Sequence, residues 1–325
     1  MANSPVTNFS RTGESNVFIP ANQLRMSTSL DLQALARIRS LELRAKSIVE
    51  GLWRGLHRSP YHGFSVEFSE YRAYVQGDDP RYLDWKVMAR SDRCFIKKFE
   101  DETNLRCQLV VDHSRSMKFG KGPMLKSDYA ATLAATLAMF LMQQGDAVGI
   151  TTFGQGLQEH LPPRNRPGHL RRLMHELEKP STAGGTALDL SVQQLAELLR
   201  KRGMICLMSD LLAPVERLER QLGLLSTMGH DIVLFHLMDR SEIEFAFDQS
   251  AHFRDAETGA ERFIHPGGAR EAYVNRLKAH RDCIRQACDR QGIEYHWTPT
   301  DTPIEHVLFD FLSARQRKLA GRGRA

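Results

Sequence analysis

The sequence lacks any apolar run long enough to cross a membrane, and it lacks the charged start and apolar centre of a signal peptide. Its five cysteines are scattered and odd in number, which excludes a disulfide framework and the paired spacing of a zinc site. Basic residues exceed acidic ones only slightly (44 against 39), without the aromatic-basic array that binds nucleic acids. These absences predict a cytoplasmic protein with no membrane insertion and no nucleic-acid partner.

What the sequence does contain is a regular alternation of apolar runs and amphipathic stretches. Hydrophobic residues make up 42% of the chain, which is enough for a sizeable core. Strands are predicted near residues 107, 148, 158, 205, 233 and 294, with helices between them and an edge strand at 158. This alternation predicts an α/β fold, a doubly wound and mostly parallel sheet covered on both faces.

The chain divides into segments of different composition. Residues 1–29 are polar and aperiodic, so they are predicted to be disordered. Residues 30–104 open with an amphipathic helix over 30–56 and are expected to pack on the main domain, because they are too few to bury their own core. The main domain spans 105–319, with a β-hairpin insertion at about 242–265, and a basic tail follows at 320–325.

One stretch places three hard oxygen ligands after a strand. The apolar run 109–111 ends in Asp112, and Ser114 and Ser116 follow at spacings of two and four. In an open α/β sheet, ligands bind at the carboxyl ends of the strands. Carboxylate and hydroxyl oxygens suit Mg²⁺ or Mn²⁺ better than zinc. On these residues alone, a loop that simply caps the next helix explains the pattern equally well.

Two other places favour the metal interpretation. Thr186 follows a Gly-Gly pair at the start of a predicted helix, where an ordinary N-cap is the alternative role. A second apolar strand, residues 204–208, leads into Ser209 and Asp210. If the two strands are neighbours where a doubly wound sheet reverses direction, Asp112 and Asp210 converge across one crevice.

Taken together, Asp-x-Ser-x-Ser, Gly-Gly-Thr and Ser-Asp resemble the metal-ion-dependent adhesion site of von Willebrand factor A-type (VWA) domains. The resemblance implies that the first and fourth sheet strands lie side by side. It also implies a divalent ion, Mg²⁺ or Mn²⁺, held by five side chains, and all five positions match. These are Asp112, Ser114, Ser116, Thr186 and Asp210.

The segment ahead of this motif resembles a bacterial family, the domain of unknown function 58 family. That resemblance implies a partner, a MoxR-type AAA+ ATPase. Many members of the family carry membrane spans, and this chain resembles a soluble form of the family. Capping and a helix start account for Asp79 and Pro80, whereas Arg72, Arg81 and Asp84 have no assigned role. The match lies on Gly63, Glu67, Phe68, Glu70, Arg72, Tyr74, Gly77, Asp78, Asp79, Pro80, Arg81, Asp84 and Trp85.

Three classes of function follow from these patterns. The favoured one is a non-enzymatic, metal-dependent protein-binding module in which a partner's carboxylate completes the Mg²⁺ shell. A Mg²⁺-dependent phosphotransferase or hydrolase is the second class, but its motif needs an acid two residues after the first, where this chain has Ser114. The third is a structural scaffold with a vestigial metal site.

Overall fold

The computed structural model describes residues 31–58, 68–73, 95–99, 105–179, 188–247, 249–255 and 259–322. Within these ranges, the strands are β1 Phe68–Ala73, β2 Phe95–Phe99, β3 Arg106–Asp112, β4 Ala147–Phe153, β5 Leu157–Arg164, β6 Met204–Ser209, β7 Asp231–Met238, β8 Ala251–Arg254, β9 Glu261–Ile264 and β10 Glu294–Pro299. The α-helices are α1 Leu32–Arg37, α2 Leu41–Arg58, α3 Lys126–Gln143, α4 His169–Glu178, α5 Leu188–Leu198, α6 Val215–Thr227, α7 Arg240–Glu244, α8 Pro266–Gln291 and α9 Ile304–Arg322.

A six-stranded sheet forms the centre of the main domain, in the order β10-β7-β6-β3-β4-β5. All neighbouring pairs are parallel except β4 and β5, so β5 is an antiparallel edge strand. If these six strands are renumbered 1 to 6 along the chain and read from the β5 edge, their order is 3-2-1-4-5-6, the doubly wound arrangement. The predicted strands and fold class are therefore confirmed, and the first and fourth sheet strands, β3 and β6, are adjacent.

The apolar runs explain why the sheet is covered on both faces. Every residue of β6 is buried, as are all residues of β3 except the first, and continuous burial is typical of a central parallel strand. Helix α3 is buried around most of its circumference, which marks a helix inside the protein rather than on its surface. One core lies between the sheet and α2, α3, α4 and α9, and the other lies between the sheet and α5, α6 and α8.

The segment 30–56, predicted as one helix, forms two helices, because the chain leaves helical geometry at residues 38–40. Asp31 caps α1 by accepting a hydrogen bond from the backbone N–H of Gln33 (3.0 Å), and Arg44 donates to the carbonyl of Ile38 (2.9 Å). The expected packing holds for this helical pair, since Leu35 and Leu52 belong to the core of the main domain. Strands β1 and β2 pair antiparallel.

The predicted hairpin over 242–265 is correct only in its second part. Strands β8 and β9 pair antiparallel over residues 251–264, but residues 242–244 belong to helix α7. The reason is a capping box, in which Asp239 accepts from the start of α7 while the Glu242 side chain accepts from the Asp239 N–H (3.1 Å). This local pairing favours a helical turn over a strand.

Several predictions fall on other parts of the chain. The N-terminal residues 1–29, the strand start at 64–67 and the helix at 80–90 lie outside the described residues. Helix α9 extends to Arg322 and so includes the first half of the predicted tail. Among the described helices, none combines the length and the apolar character needed to cross a membrane.

Candidate metal centre

The candidate site lies where the sheet changes direction, at the carboxyl ends of β3 and β6. Asp112 is the last residue of β3, and Asp210 directly follows β6. Val111 pairs with Met208, so the ends of the two strands are level. The chain turns away from the sheet at Leu211, a non-glycine residue in the left-handed region (φ 52°). The convergence of Asp112 and Asp210, predicted from two apolar runs, is therefore present.

Asp112 is a fully buried carboxylate held by two donors. Its Oδ1 accepts from the backbone N–H of Ser114 (2.8 Å), and its Oδ2 accepts from the hydroxyl of Ser209 (2.5 Å). Burial raises the pKa of Asp112, and the negative charge of Asp210 raises it further, to about 7. Hydrogen bonds from Ser209 and Ser114 oppose this change only in part. The ionised form of Asp112 is therefore disfavoured in the folded protein.

The two serines of the motif present their hydroxyls side by side. The hydroxyls of Ser114 and Ser116 share a hydrogen bond, with their Oγ atoms 3.0 Å apart, and both residues are buried. Neighbouring oxygens in an octahedral Mg²⁺ shell with bonds of about 2.1 Å are separated by about 3 Å, so this spacing fits two adjacent ligands. Within the described ranges, no three His, Cys, Asp or Glu side chains form a metal-binding cluster. A metal at this place would therefore depend on the hydroxyls as well as the carboxylates.

A lysine lies between the site and the neighbouring helix α7. The ammonium of Lys126, the first residue of α3, is 2.9 Å from Asp210 Oδ2 and 2.9 Å from Glu242 Oε1. The Lys126 side chain is completely buried. Burial alone would lower the pKa of Lys126, but the two carboxylates outweigh it and raise that pKa above its ordinary value. The lysine is thus a fixed cation in the metal-free protein.

Helix α7 also binds the loop that follows the motif. Asp239 Oδ2 accepts from the backbone N–H groups of Lys121 (3.2 Å) and Gly122 (3.4 Å). Its Oδ1 accepts from the backbone N–H of Ser241 (2.9 Å). Together with the Lys126–Glu242 ion pair, these bonds join the ends of β3, β6 and β7 into one polar network.

The structure brings four of the five predicted ligands, Asp112, Ser114, Ser116 and Asp210, to one edge of the sheet. The fifth, Thr186, lies outside the described residues. Three residues in contact with the site were missed in the sequence. Ser209 directly precedes the predicted ligand Asp210 in the sequence. The Asp-x-x-Glu spacing of a capping box could have identified Glu242. Lys126 had a weaker signal, a cation at a helix start, where the dipole disfavours it.

These features define the class of the protein. A 3-2-1-4-5-6 sheet with an antiparallel edge strand, and an Asp-x-Ser-x-Ser loop after its first strand, is a VWA-type fold. The family model described as "Protein of unknown function DUF58" matches residues 70–283. The chain therefore belongs to the DUF58 family, and the resemblance seen in the sequence is confirmed.

Comparison with individual proteins finds an uncharacterised relative and distant structural likenesses. An uncharacterised protein of Mycobacterium tuberculosis is 27% identical over 296 residues, covering 90% of this chain and 93% of its own. An aerotolerance-related membrane protein from Bacteroides fragilis superposes with a TM-score of 0.42 at 14% identity, over 63% of this chain and 96% of that one. The VWA domain of SpRpn10 superposes with a TM-score of 0.39 at 14% identity, over 63% and 94%.

Proposed function

We propose that this protein is a non-enzymatic, metal-dependent protein-binding module. In this proposal, Asp112, Ser114, Ser116, Thr186 and Asp210 hold Mg²⁺ or Mn²⁺, and a carboxylate of a partner protein supplies the remaining ligand. The metal contributes a positive charge that the partner's carboxylate can approach at a buried and otherwise acidic site. Binding then becomes dependent on both the ion and an acidic residue of the partner.

The observation that carries the proposal is the charge balance at the ends of β3 and β6. Asp112 and Asp210 are almost fully buried on adjacent strand ends, and Glu242 is close by, yet Lys126 is the one cation that the described residues place among these three carboxylates. Buried carboxylates without full compensation are costly, and a bound cation removes that cost. The adjacent hydroxyls of Ser114 and Ser116 supply neutral oxygens at the spacing that Mg²⁺ prefers.

The partner follows from the family resemblance rather than from the geometry. We infer that it is a MoxR-type AAA+ ATPase and that this protein acts as its adaptor or co-chaperone. An exposed acidic side chain on the ATPase or its client would complete the metal shell. The VWA-type fold supports a role in protein interaction, because ligands of such sheets bind at the carboxyl ends of the strands. The four described ligand residues are themselves buried at this edge.

Calorimetric titration with Mg²⁺ tests the first step, and titration with the MoxR-type ATPase from the same genome tests the second. Asp112→Ala should abolish Mg²⁺ binding, because it removes one of two anionic ligands. Partner binding should fall to the level measured for the wild type in EDTA. Ser114→Ala should weaken both steps less, since a hydroxyl is a neutral ligand. The exposed acid Asp310 on α9 gives the control, Asp310→Ala, which should bind both as the wild type does.

A scaffold without metal is the second candidate, and one observation favours it. Lys126 already forms an ion pair with Asp210, so the fold is partly compensated without any ion. If Asp112→Ala binds the ATPase with wild-type affinity in both Mg²⁺ and EDTA, the scaffold replaces the metal-dependent module. A phosphatase activity that requires Mg²⁺ and is lost in Asp112→Ala would instead support the enzyme class.

A further inference from the structure

We propose that Lys126 is a positioning residue that competes with the divalent ion for Asp210 and so sets the ion affinity of the site. This inference rests on the metal centre proposed above and assigns a role to a residue outside its ligand set. The Lys126 ammonium is 2.9 Å from Asp210 Oδ2, which is the distance of a direct charge-assisted hydrogen bond. The oxygen that Lys126 engages belongs to a carboxylate that the metal also needs.

The position of Lys126 is unfavourable for a lysine unless the carboxylates require it. It is the first residue of α3, where the helix dipole is positive and disfavours a cation. Its side chain is also completely buried, and transfer of an ammonium from water into a protein interior is costly. Leucine or methionine would fit such a site without either cost. The contacts with Asp210 and Glu242 are therefore the physical reason for a lysine at this position.

Glu242 fixes the lysine from the opposite side. Its Oε1 is 2.9 Å from the Lys126 ammonium, and its Oε2 accepts from the N–H of Asp239. Glu242 is thus held at the start of α7 by a hydrogen bond of its own. The carboxylate of Glu242 also shares the positive charge that would otherwise act on Asp210 alone. Loss of Glu242 should leave Lys126 bound more tightly to Asp210.

A divalent ion and the ammonium repel each other at this short range. When an ion binds beside Asp112, the carboxylate of Asp210 is shared between two cations. Removal of the lysine charge should therefore strengthen ion binding, and removal of Glu242 should weaken it. A purely structural lysine would change the stability of the fold in both variants and leave the ion affinity unaltered.

The test compares two full-length variants that differ only at Lys126. Lys126→Gln alone leaves two buried carboxylates uncompensated and risks misfolding, so the Lys126→Gln/Glu242→Gln double variant is compared with Glu242→Gln. Calorimetric titration with Mg²⁺ alone should give a Kd at least tenfold lower for the double variant than for Glu242→Gln. Lys126→Arg, which retains the charge, should stay within a few-fold of the wild type.

The possible outcomes separate this inference from the proposed function. If the wild type binds Mg²⁺ but the double variant and Glu242→Gln have the same Kd, the role of Lys126 is wrong and the metal centre stands. If only the double variant binds Mg²⁺, Lys126 excludes the ion in the wild type, and the metal-dependent module is wrong. If neither the wild type nor any variant binds, both proposals are wrong.

Discussion

Replacement of Asp112 by asparagine should change the stability of this protein in opposite directions with and without a divalent ion. In the metal-free protein, the Asp112 carboxylate is buried beside Asp210, and its pKa is raised from 3.8 to about 7. Asparagine has nearly the same shape and no charge, so it removes the cost of the buried charge. With Mg²⁺ bound, the same change removes an anionic ligand. The sign of the effect thus reports whether the ion binds at Asp112.

The size of the effect follows from the difference between the folded and unfolded pKa. A difference of about 3 pH units corresponds to about 4 kcal/mol at a pH above both values. The introduced amide would keep an acceptor for the Ser114 N–H, and Ser209 can rotate its hydroxyl to accept from the amide nitrogen, at a cost of about 1 kcal/mol. We therefore expect Asp112→Asn to be more stable than the wild type by about 2–3 kcal/mol at pH 8 in EDTA. For a chain of this size, the melting temperature should rise by roughly 3–5 °C.

The pH dependence has a definite sign. Because the folded state holds the Asp112 proton more tightly than the unfolded state does, this residue's contribution is most favourable below about pH 4. That contribution is lost as pH rises towards 7 and is constant at higher pH. Urea melts in EDTA at pH 5, 6, 7 and 8 should show the advantage of Asp112→Asn growing through this range. An Asp112→Asn variant less stable than the wild type in EDTA at pH 8 would refute the reasoning.

The same melts with Mg²⁺ complete the experiment. An ion present at about 1,000 times its Kd stabilises the folded state by about 4.1 kcal/mol. The wild type should gain this stability and the Asp112→Asn variant should not, so the order of stability reverses. Equal gains by both proteins would place the ion elsewhere.

Two further predictions concern His236, which contacts Asp210, and the leucines of helix α2. Burial lowers the pKa of His236 to about 3, so its contribution is present above pH 6.5 and is lost as pH falls. Urea melts should show that the free energy of unfolding falls between pH 7 and pH 5, and that this fall is about 2 kcal/mol smaller in His236→Phe than in the wild type. An equal fall in both proteins would contradict the role of His236. Leu52→Ala should cost about 2–5 kcal/mol in the same melts, because Leu52 is fully buried in the core. Leu43 on the same helix is 57% exposed, so Leu43→Ala should lower the free energy of unfolding by less than about 0.5 kcal/mol. If Leu52→Ala lowered it by no more than Leu43→Ala does, α2 would not belong to the core.

Much of the fold was predictable because its strong signals are periodic or local. Continuous apolar runs identify β3 and β6 as buried parallel strands, and the acid at the end of each run identifies the edge where ligands bind. The adjacency of β3 and β6 came from the family resemblance, since no property of either strand specifies its neighbour. For the same reason, the two apolar runs could pair Asp112 with Asp210 only on the condition that their strands are neighbours.

The errors came from short elements in which local contacts outweigh the overall pattern. The break at residues 38–40 is stabilised by Arg44, which donates to the carbonyl of Ile38, and by Ser40, whose hydroxyl accepts from the N–H of Leu43. Neither contact interrupts the helical spacing of the apolar residues. Residues 242–247 alternate like a strand, but the capping box at Asp239 and Glu242 favours a helical turn. Lys126 was missed because its partners are 84 and 116 residues away along the chain.

Lys126 compensates part of the negative charge of Asp210 and Glu242, and burial beside Asp210 raises the pKa of Asp112 to about 7, so this carboxyl holds its proton more tightly than an exposed one does. The ion that we propose would have to displace that proton and compete with the Lys126 ammonium, and each of these would lower its apparent affinity. A partner's carboxylate would add negative charge and favour the ion over both competitors. Because binding is linked in this way, the ion and the partner should each increase the affinity for the other by the same factor.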